Sequence, residues 1–206
     1  ISIGYRDHTV WEIPPNGSGI IALEAMGIVD GMPAGTSHVC ADSWHTQIEA
    51  MKLAYADGLR YVADPQRAAV PTGGLLDPGY LAERRALIGE RAGNSLAGRP
   101  PGGGTVYLCT ADKDGMMVSF IQSNYQGFGS GVVVPGRGIS MQNRGHSFSL
   151  EAGHLNEAAP GKRPYHTIIP GFLTRGSEAV GPFGVMGGFM QPPGHLQVVA
   201  GTVDHN

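Results

Sequence analysis

The sequence predicts an α+β fold, and three observations carry that expectation. Helical apolar periodicity is confined to the residues before 91. Strand-like segments with hairpin signals follow Gly104. A stretch without regular patterning, residues 91–104, separates the two regions. Helices first and antiparallel strands after suggest helices layered on sheets. At 206 residues, 41% hydrophobic and 15% charged, the chain can bury a real core and is not of the disordered class.

The chain opens inside what reads as a strand, Ile1-Ser2-Ile3-Gly4-Tyr5-Arg6, and the rest of its first half reads as helical. Pro14-Pro15-Asn16-Gly17-Ser18-Gly19 is a breaker cluster. Ile21, Ala25 and Ile28 then recur at spacings of four and three, a short helix that stops by Gly31. A longer helix follows, with Trp44, Ile48, Met51, Tyr55, Leu59 and Val62 on one inward face, ending at Asp64-Pro65. His45 and Trp44 are read as packing residues of this helix, and Asp57 with Arg60 as a solvated or structural pair. A third helix is expected from about Pro78 to Glu90, with Leu81, Ala82, Leu87 and Ile88 inward. Residues 91–104 suit either a cleavable junction or an ordinary surface loop. Thr105 to Ala111 and Met116 to Ser123 read as a hairpin closed at Asp112-Lys113-Asp114-Gly115. Further strands are expected at 138–142, 166–173 and 179–186, and a last helix or loop from near Pro193.

The net charge of −3 and the absence of a basic run argue against a nucleic-acid partner. No run of apolar residues is long enough for a membrane-spanning helix. The eight histidines form no metal-ligand spacing, so neither a metal nor a cofactor is expected. Cys40 and Cys109 are read as buried free thiols and do not fix the compartment.

Two local features suggest chemistry. Gly104-Thr105 is a Gly-Thr step between a loose linker and a strand. A threonine freed at its amino end carries its own base, the α-amine, whose pKa of about 8 suits neutral pH. Gly187-Gly188 after a strand can turn two bare backbone amides towards a developing oxyanion, or it can be a simple turn or bulge.

Several stretches, in order, resemble the γ-glutamyltranspeptidase family of N-terminal-nucleophile hydrolases. They are the Pro14–Gly19 turn, the helix Ile48–Asp57, Gly104-Thr105-Val106-Tyr107-Leu108, Asp112–Gly115, Phe128–Gly131, Ala159–Pro164 and Gly187-Gly188. The bacterial branch with Asn143-Arg144-Gly145, Arg163–Pro170 and Met186–Gln191 is the most similar; relatives of this branch act on substrates such as oxamate. The resemblance implies a four-layer αββα sandwich. It implies cleavage between Gly104 and Thr105 by attack of Thr105 itself, leaving residues 1–104 in a large subunit and 105–206 in a small one. The chain is then read as a central fragment of a longer protein. Its large and small subunits are expected to stay associated, with a homodimer considered as the assembly. Thr105 becomes the nucleophile, Ser123 falls where a hydroxyl supports it, and Gly187 and Gly188 fall on the oxyanion hole.

Substrate-pocket positions depart from the family's γ-glutamyl pattern. Ser147 stands where an aspartate reads the substrate ammonium, Tyr125 replaces an asparagine, Arg144 a glutamine, and His166 and Thr167 a serine pair. Arg144 without a nearby aspartate favours an acidic or amide substrate, unless another acid such as Glu151 supplies the charge. The expected activity is amide cleavage by acyl transfer to Thr105, then to water or an amine. The rivals are a true γ-glutamyltransferase or glutathione hydrolase, and a non-catalytic remnant of the fold.

Overall fold

The computed structural model describes residues 1–35, 37, 40–93 and 104–205, with Gly104 described by its backbone alone. The fold is α+β, as the sequence predicts. Two short strands open the chain, β1 (Ser2–Tyr5) and β2 (His8–Trp11). Helices α1 (Gly19–Asp30), α2 (Ala41–Tyr61), α3 (Thr72–Leu75) and α4 (Pro78–Arg85) follow. Beyond the linker come β3 (Gly104–Ala111), β4 (Met117–Tyr125), β5 (Val133–Val134) and β6 (Ile139–Ser140). Strands β7 (Gly171–Arg175) and β8 (Glu178–Phe183) and helix α5 (Gln191–Asp204) complete the described chain. The linker from 94 to 103 lies outside the described residues.

The first half is less helical than expected. Its opening hairpin joins the last hairpin in one antiparallel sheet of order β1-β2-β7-β8, with Val10 opposite Leu173. Strands from the two ends of the chain thus share one sheet, a pairing that local periodicity cannot reveal. The strand expected at 166–173 starts at Gly171; His166 makes only a single bridge to Gly17.

Helix α1 is the centre of the core. From Gly19 to Val29 every residue is buried, as befits a helix apolar on all sides. It packs on β1, α2, α4 and α5. Its approach to α2 requires Gly58, where a Cβ would stand 2.3 Å from Ile21 Cδ1. The predicted inward face of α2 is therefore rotated. Gln47, Ala50, Met51, Ala54, Asp57 and Gly58 are buried, while Trp44 and Ile48 lie exposed along a groove beside Pro193 and Leu196 of α5. Helix α4 is also shorter than expected: Leu81 is buried, but Ala82 and Leu87 face solvent. Asp57 pairs not with Arg60 but with Arg84, at 2.8 Å, and accepts a hydrogen bond from Tyr80 Oη at 2.9 Å. Neither cysteine is buried as expected: Cys109 is exposed, and Cys40 is half-buried with its Sγ on Ser43 Oγ.

Glu24 is fully buried in the middle of α1. Neither of its oxygens meets a donor among the described residues, and Asp57 faces it. Burial first, and the Asp57 carboxylate second, push its pKa up to about 10. The folded chain therefore holds a proton on Glu24 that the unfolded chain releases above its ordinary value of 4.5. Its contribution to stability is complete below that value and is lost progressively as pH rises towards 10. Near pH 7 the loss is on the order of 3 kcal/mol. Glu24→Gln keeps a neutral donor towards Asp57 and cannot ionise in the unfolded chain. We expect it to raise stability at pH 7–8 by about 1–3 kcal/mol and to flatten the pH dependence. Urea melts of both proteins between pH 5 and 8 check this; an unstable E24Q with unchanged slope would contradict it.

Candidate active site

Thr105 lies one residue into β3, at an irregularity in the β3–β4 ladder. Gly104 pairs with Tyr125 and Val106 with Gln122, so Thr105 alone faces two residues of β4, Ser123 and Asn124. Such a bulge redirects side chains from the regular pleat. The Gly104–Thr105 bond thus lies inside a paired strand, directly at the bulge. Tyr125 closes the corner in the left-handed region, at φ 77°, and its amide donates to Ser123 Oγ at 2.8 Å. The next amide, Gln126, donates to Asn143 Oδ1 at 3.0 Å, and Asn143 N donates to Asn124 O. Asn143 therefore fastens the corner beside Thr105 to the turn Arg144–Ser147, a role without a separate signal in the sequence.

That turn carries the second group of expected residues. Arg144 is buried, 3% exposed. Its Nη1 donates to Thr167 Oγ1 at 3.1 Å, and its guanidinium carbon stands 5.2 Å from the centre of the Tyr125 ring. Its Nη2 has no partner among the described residues. Burial lowers the Arg144 pKa from its ordinary value, opposed only in part by Tyr125. Ser147 Oγ is likewise buried and has no partner among the described residues. Glu151 lies exposed and forms no ion pair with Arg144.

His166 and Thr167 reach this place on an extended segment held by the turn before α1. His166 N donates to Asn16 O, Ser18 N donates to His166 O, and Asn16 Nδ2 donates to Pro164 O. The imidazole of His166 accepts the Ile168 amide at Nδ1, 3.2 Å away, which places its proton on Nε2 in the neutral form. Burial first, then the nearby charge of Arg144, lower its pKa to about 4, so it is neutral at physiological pH. Asn156 adds a brace: its Nδ2 donates to Ser147 O and its Oδ1 accepts from Tyr165 N. Lys162 and Arg163 anchor the preceding loop. Lys162 Nζ donates to Leu155 O, and Arg163 bonds Asp64, whose carboxyl is held well below the usual range by that partner.

Gly187 and Gly188 form the turn into α5. Their φ values are 127° and 60°, both disfavoured for residues with a side chain. Gly188 opens the short helical turn Gly188–Met190, and the first amide of such a turn has no partner within it. Two contacts link the stretch from Gly184 to this turn with the strand of Thr105 and the segment of His166. The Tyr107 ring, two residues after Thr105, lies against Gly184, where a Cβ would come within 2.6 Å of it. Phe189 stacks on Tyr165, the neighbour of His166, with centroids 5.5 Å apart and ring planes 13° from parallel. Tyr165 and Phe189 lie in the stretches Arg163–Pro170 and Met186–Gln191, but their stacking on one another has no signal in the sequence.

The structure thus brings Tyr125, Arg144, Ser147, His166 and Thr167 into one neighbourhood, joined through Tyr125 to the corner of Thr105 and Ser123. The two glycines approach it through Phe189. Among the described residues no group of histidine, cysteine or carboxylate side chains is placed to hold a metal ion.

A family profile described as gamma-glutamyltranspeptidase matches residues 1–206. A glutathione hydrolase-like proenzyme of Bacillus subtilis is 34% identical over 206 residues, covering 100% of this chain and 39% of its own length. An oxamate amidohydrolase proenzyme of Klebsiella pneumoniae is 36% identical over 93% of this chain and 36% of its own. A crystal structure of a cephalosporin acylase from Bacillus halodurans superposes with a TM-score of 0.92 at 60% identity, over 99% of this chain and 37% of that one. The chain spans somewhat over a third of the length of these relatives. With a profile match from end to end and a shared fold, the chain belongs to the gamma-glutamyltranspeptidase family.

Proposed function

We propose that the full-length protein is a self-processing amidohydrolase with Thr105 as its nucleophile. The observation that carries this reading is the bulge, which sets the Gly104–Thr105 bond opposite Ser123 and one side chain, Tyr125, from the buried Arg144. In processing, Thr105 Oγ adds to the Gly104 carbonyl carbon, and the C–N bond breaks to give an ester and a free α-amine. Water hydrolyses that ester, leaving Thr105 at a new chain start. In turnover the α-amine takes the Oγ proton as Oγ bonds to the substrate carbonyl carbon. The amide C–N bond breaks, the amine leaves with the proton, and water or an acceptor amine cleaves the acyl-threonine ester. The amides of Gly187 and Gly188 stabilise the oxyanion in this account. The relatives described as proenzymes support self-processing.

The two products are expected to stay together. Strand β2 lies before the cut and β7 after it, yet they pair in one sheet. Glu12 and His195, buried 2.5 Å apart, and Asp64 with Arg163, at 2.7 Å, also cross it. The assembly proposed is a homodimer of this pair, and native mass of the processed full-length protein tests it.

A slowly hydrolysed anilide tests the chemistry. The expected result is an acyl adduct on the small chain, on its first residue, with a burst of one anilide per active site. A burst without an adduct, or an adduct on the large chain, would remove Thr105 from this role. A processed protein that cleaves no amide donor, oxamate and glutathione included, would favour a non-catalytic remnant.

A further inference from the structure

We infer that Glu12 is a positioning residue for the Gly187-Gly188 turn: through His195 it fixes, from the large-chain side of the cut, two amides that act in the small chain. This rests on the amidohydrolase reading above and names a support of its oxyanion site.

A single imidazole gathers the segment that carries the two glycines. His195 lies one turn into α5 and is fully buried. Its ring packs on Phe183, the last residue of β8, with centroids 4.9 Å apart and ring planes at 59°. Phe183 stands just before the stretch from Gly184 to Met190, and His195 stands just after it. One side chain thus draws both ends of that stretch together. Gly194 tightens the same closure: a Cβ there would stand 2.5 Å from Val185 Cγ2, so the start of α5 packs directly on the stretch.

His195 is held in turn by Glu12. His195 Nδ1 and Glu12 Oε1 are 2.5 Å apart, and neither side chain is exposed. Glu12 directly follows β2, and its amide donates to Ile1 O at 2.9 Å, which extends the β1–β2 pairing by one residue. On its other side is the start of α1, where a Cβ on Gly19 would come within 2.8 Å of Glu12 Cβ. The carboxyl group is therefore mounted on a sheet and a helix that both precede the cut.

Stability alone does not account for this pair. Two buried polar groups lose solvation that their attraction only partly returns, and packed apolar groups in their place are often no less stable. Each also keeps a second atom, Glu12 Oε2 and His195 Nε2, without a partner among the described residues. What a short hydrogen bond supplies and an apolar contact does not is direction, because it weakens steeply when bent. An apolar contact would let α5 slide. An oxyanion donor must sit about 2.7–3.1 Å from the developing charge, so a small slide of α5 with its turn lowers turnover.

Glu12→Ala and Glu12→Gln, as processed full-length proteins, test this with a nitroanilide donor. E12A is expected to lose about tenfold or more in kcat with KM within about twofold, because the amides act on the transition state rather than on bound substrate. E12Q keeps a hydrogen-bonding partner for Nδ1 and should stay within about threefold of wild type. In a Gly188→Val background the effect of Glu12→Ala on kcat should shrink to within about twofold, since the donor it positions is already displaced. Hydrogen exchange gives a readout free of turnover: the amides of residues 184–190 should exchange about tenfold or more faster in E12A, with the β7–β8 turn unchanged. An unchanged kcat and exchange in E12A, a loss undiminished in the Gly188→Val background, or an E12Q no better than E12A would overturn the positioning role and leave the amidohydrolase reading standing. If wild type cleaves no amide donor but exchange at 184–190 rises in E12A, Glu12 still positions the turn and the amidohydrolase reading falls. Should E12A fail to fold, Glu12→Asp decides. It withdraws the carboxyl group from His195 by one methylene, and about threefold lower kcat and faster exchange are expected; no change in either would overturn the role.

Discussion

Thr105→Ala is expected to leave the full-length chain uncut and to lower amide turnover by on the order of 10⁴-fold or more. The physical basis is that one hydroxyl is asked to serve twice, first on the Gly104 carbonyl and then on substrate. Alanine removes it while keeping the strand. Thr105 is half-buried and its side chain makes no hydrogen bond among the described residues, so its truncation should change stability by little more than about 1 kcal/mol. Thr105→Ser separates the two explanations for a loss. It keeps the nucleophile without the β-methyl, and should cut itself and turn over, more slowly. Intact mass and nitroanilide kinetics measure both. A T105A protein that still splits would place the nucleophile elsewhere.

Gly188→Val is expected to reduce kcat by about a hundredfold or more, because it displaces one of two amides assigned to the oxyanion. From sequence alone this change looks harmless to stability. The structure alters that expectation. The site has room for a Cβ, with nothing within 4 Å, but φ is 60°, where a β-branched residue is strained. A loss of about 1–3 kcal/mol should accompany the kinetic effect. Gly176, in the β7–β8 turn, supplies a control. It has φ 59° and equally open surroundings, so Gly176→Val should lose similar stability while turning over within about threefold of wild type. If G176V and G188V lose activity equally, strain rather than a displaced donor explains the result. An unchanged rate in G188V would assign the oxyanion to other amides.

Much of the fold was legible where signals are local. The α1 periodicity, the Asp112–Gly115 turn and the breaker at Asp64-Pro65 act through neighbouring residues, and each element appears close to its expected place. The misread parts depend on distant partners. The apolar stripe of α2 gave the helix but not its orientation. Gly58 lets α1 approach closely, and that contact turns Trp44 and Ile48 outward. The β2–β7 pairing joins residues far apart in the chain, and Asp57 finds Arg84 rather than Arg60 for the same reason.

The site divides similarly. The resemblance identified Arg144, Ser147, His166, Thr167 and Tyr125 as a group, and the structure gathers them. It could not give the state of each. That Arg144 lacks a counter-charge, or that His166 is neutral with its proton on Nε2, follows from burial and hydrogen bonds in three dimensions. The supports Asn143, Asn156 and the Tyr165–Phe189 stack were invisible because each acts across a loop, not along one.

The most direct test is N-terminal sequencing of the chains of purified full-length protein. Cleavage at the bulge predicts two chains, the smaller beginning Thr105-Val106-Tyr107-Leu108. A single uncut chain, or a small chain beginning at any other residue, would contradict the assignment of Thr105.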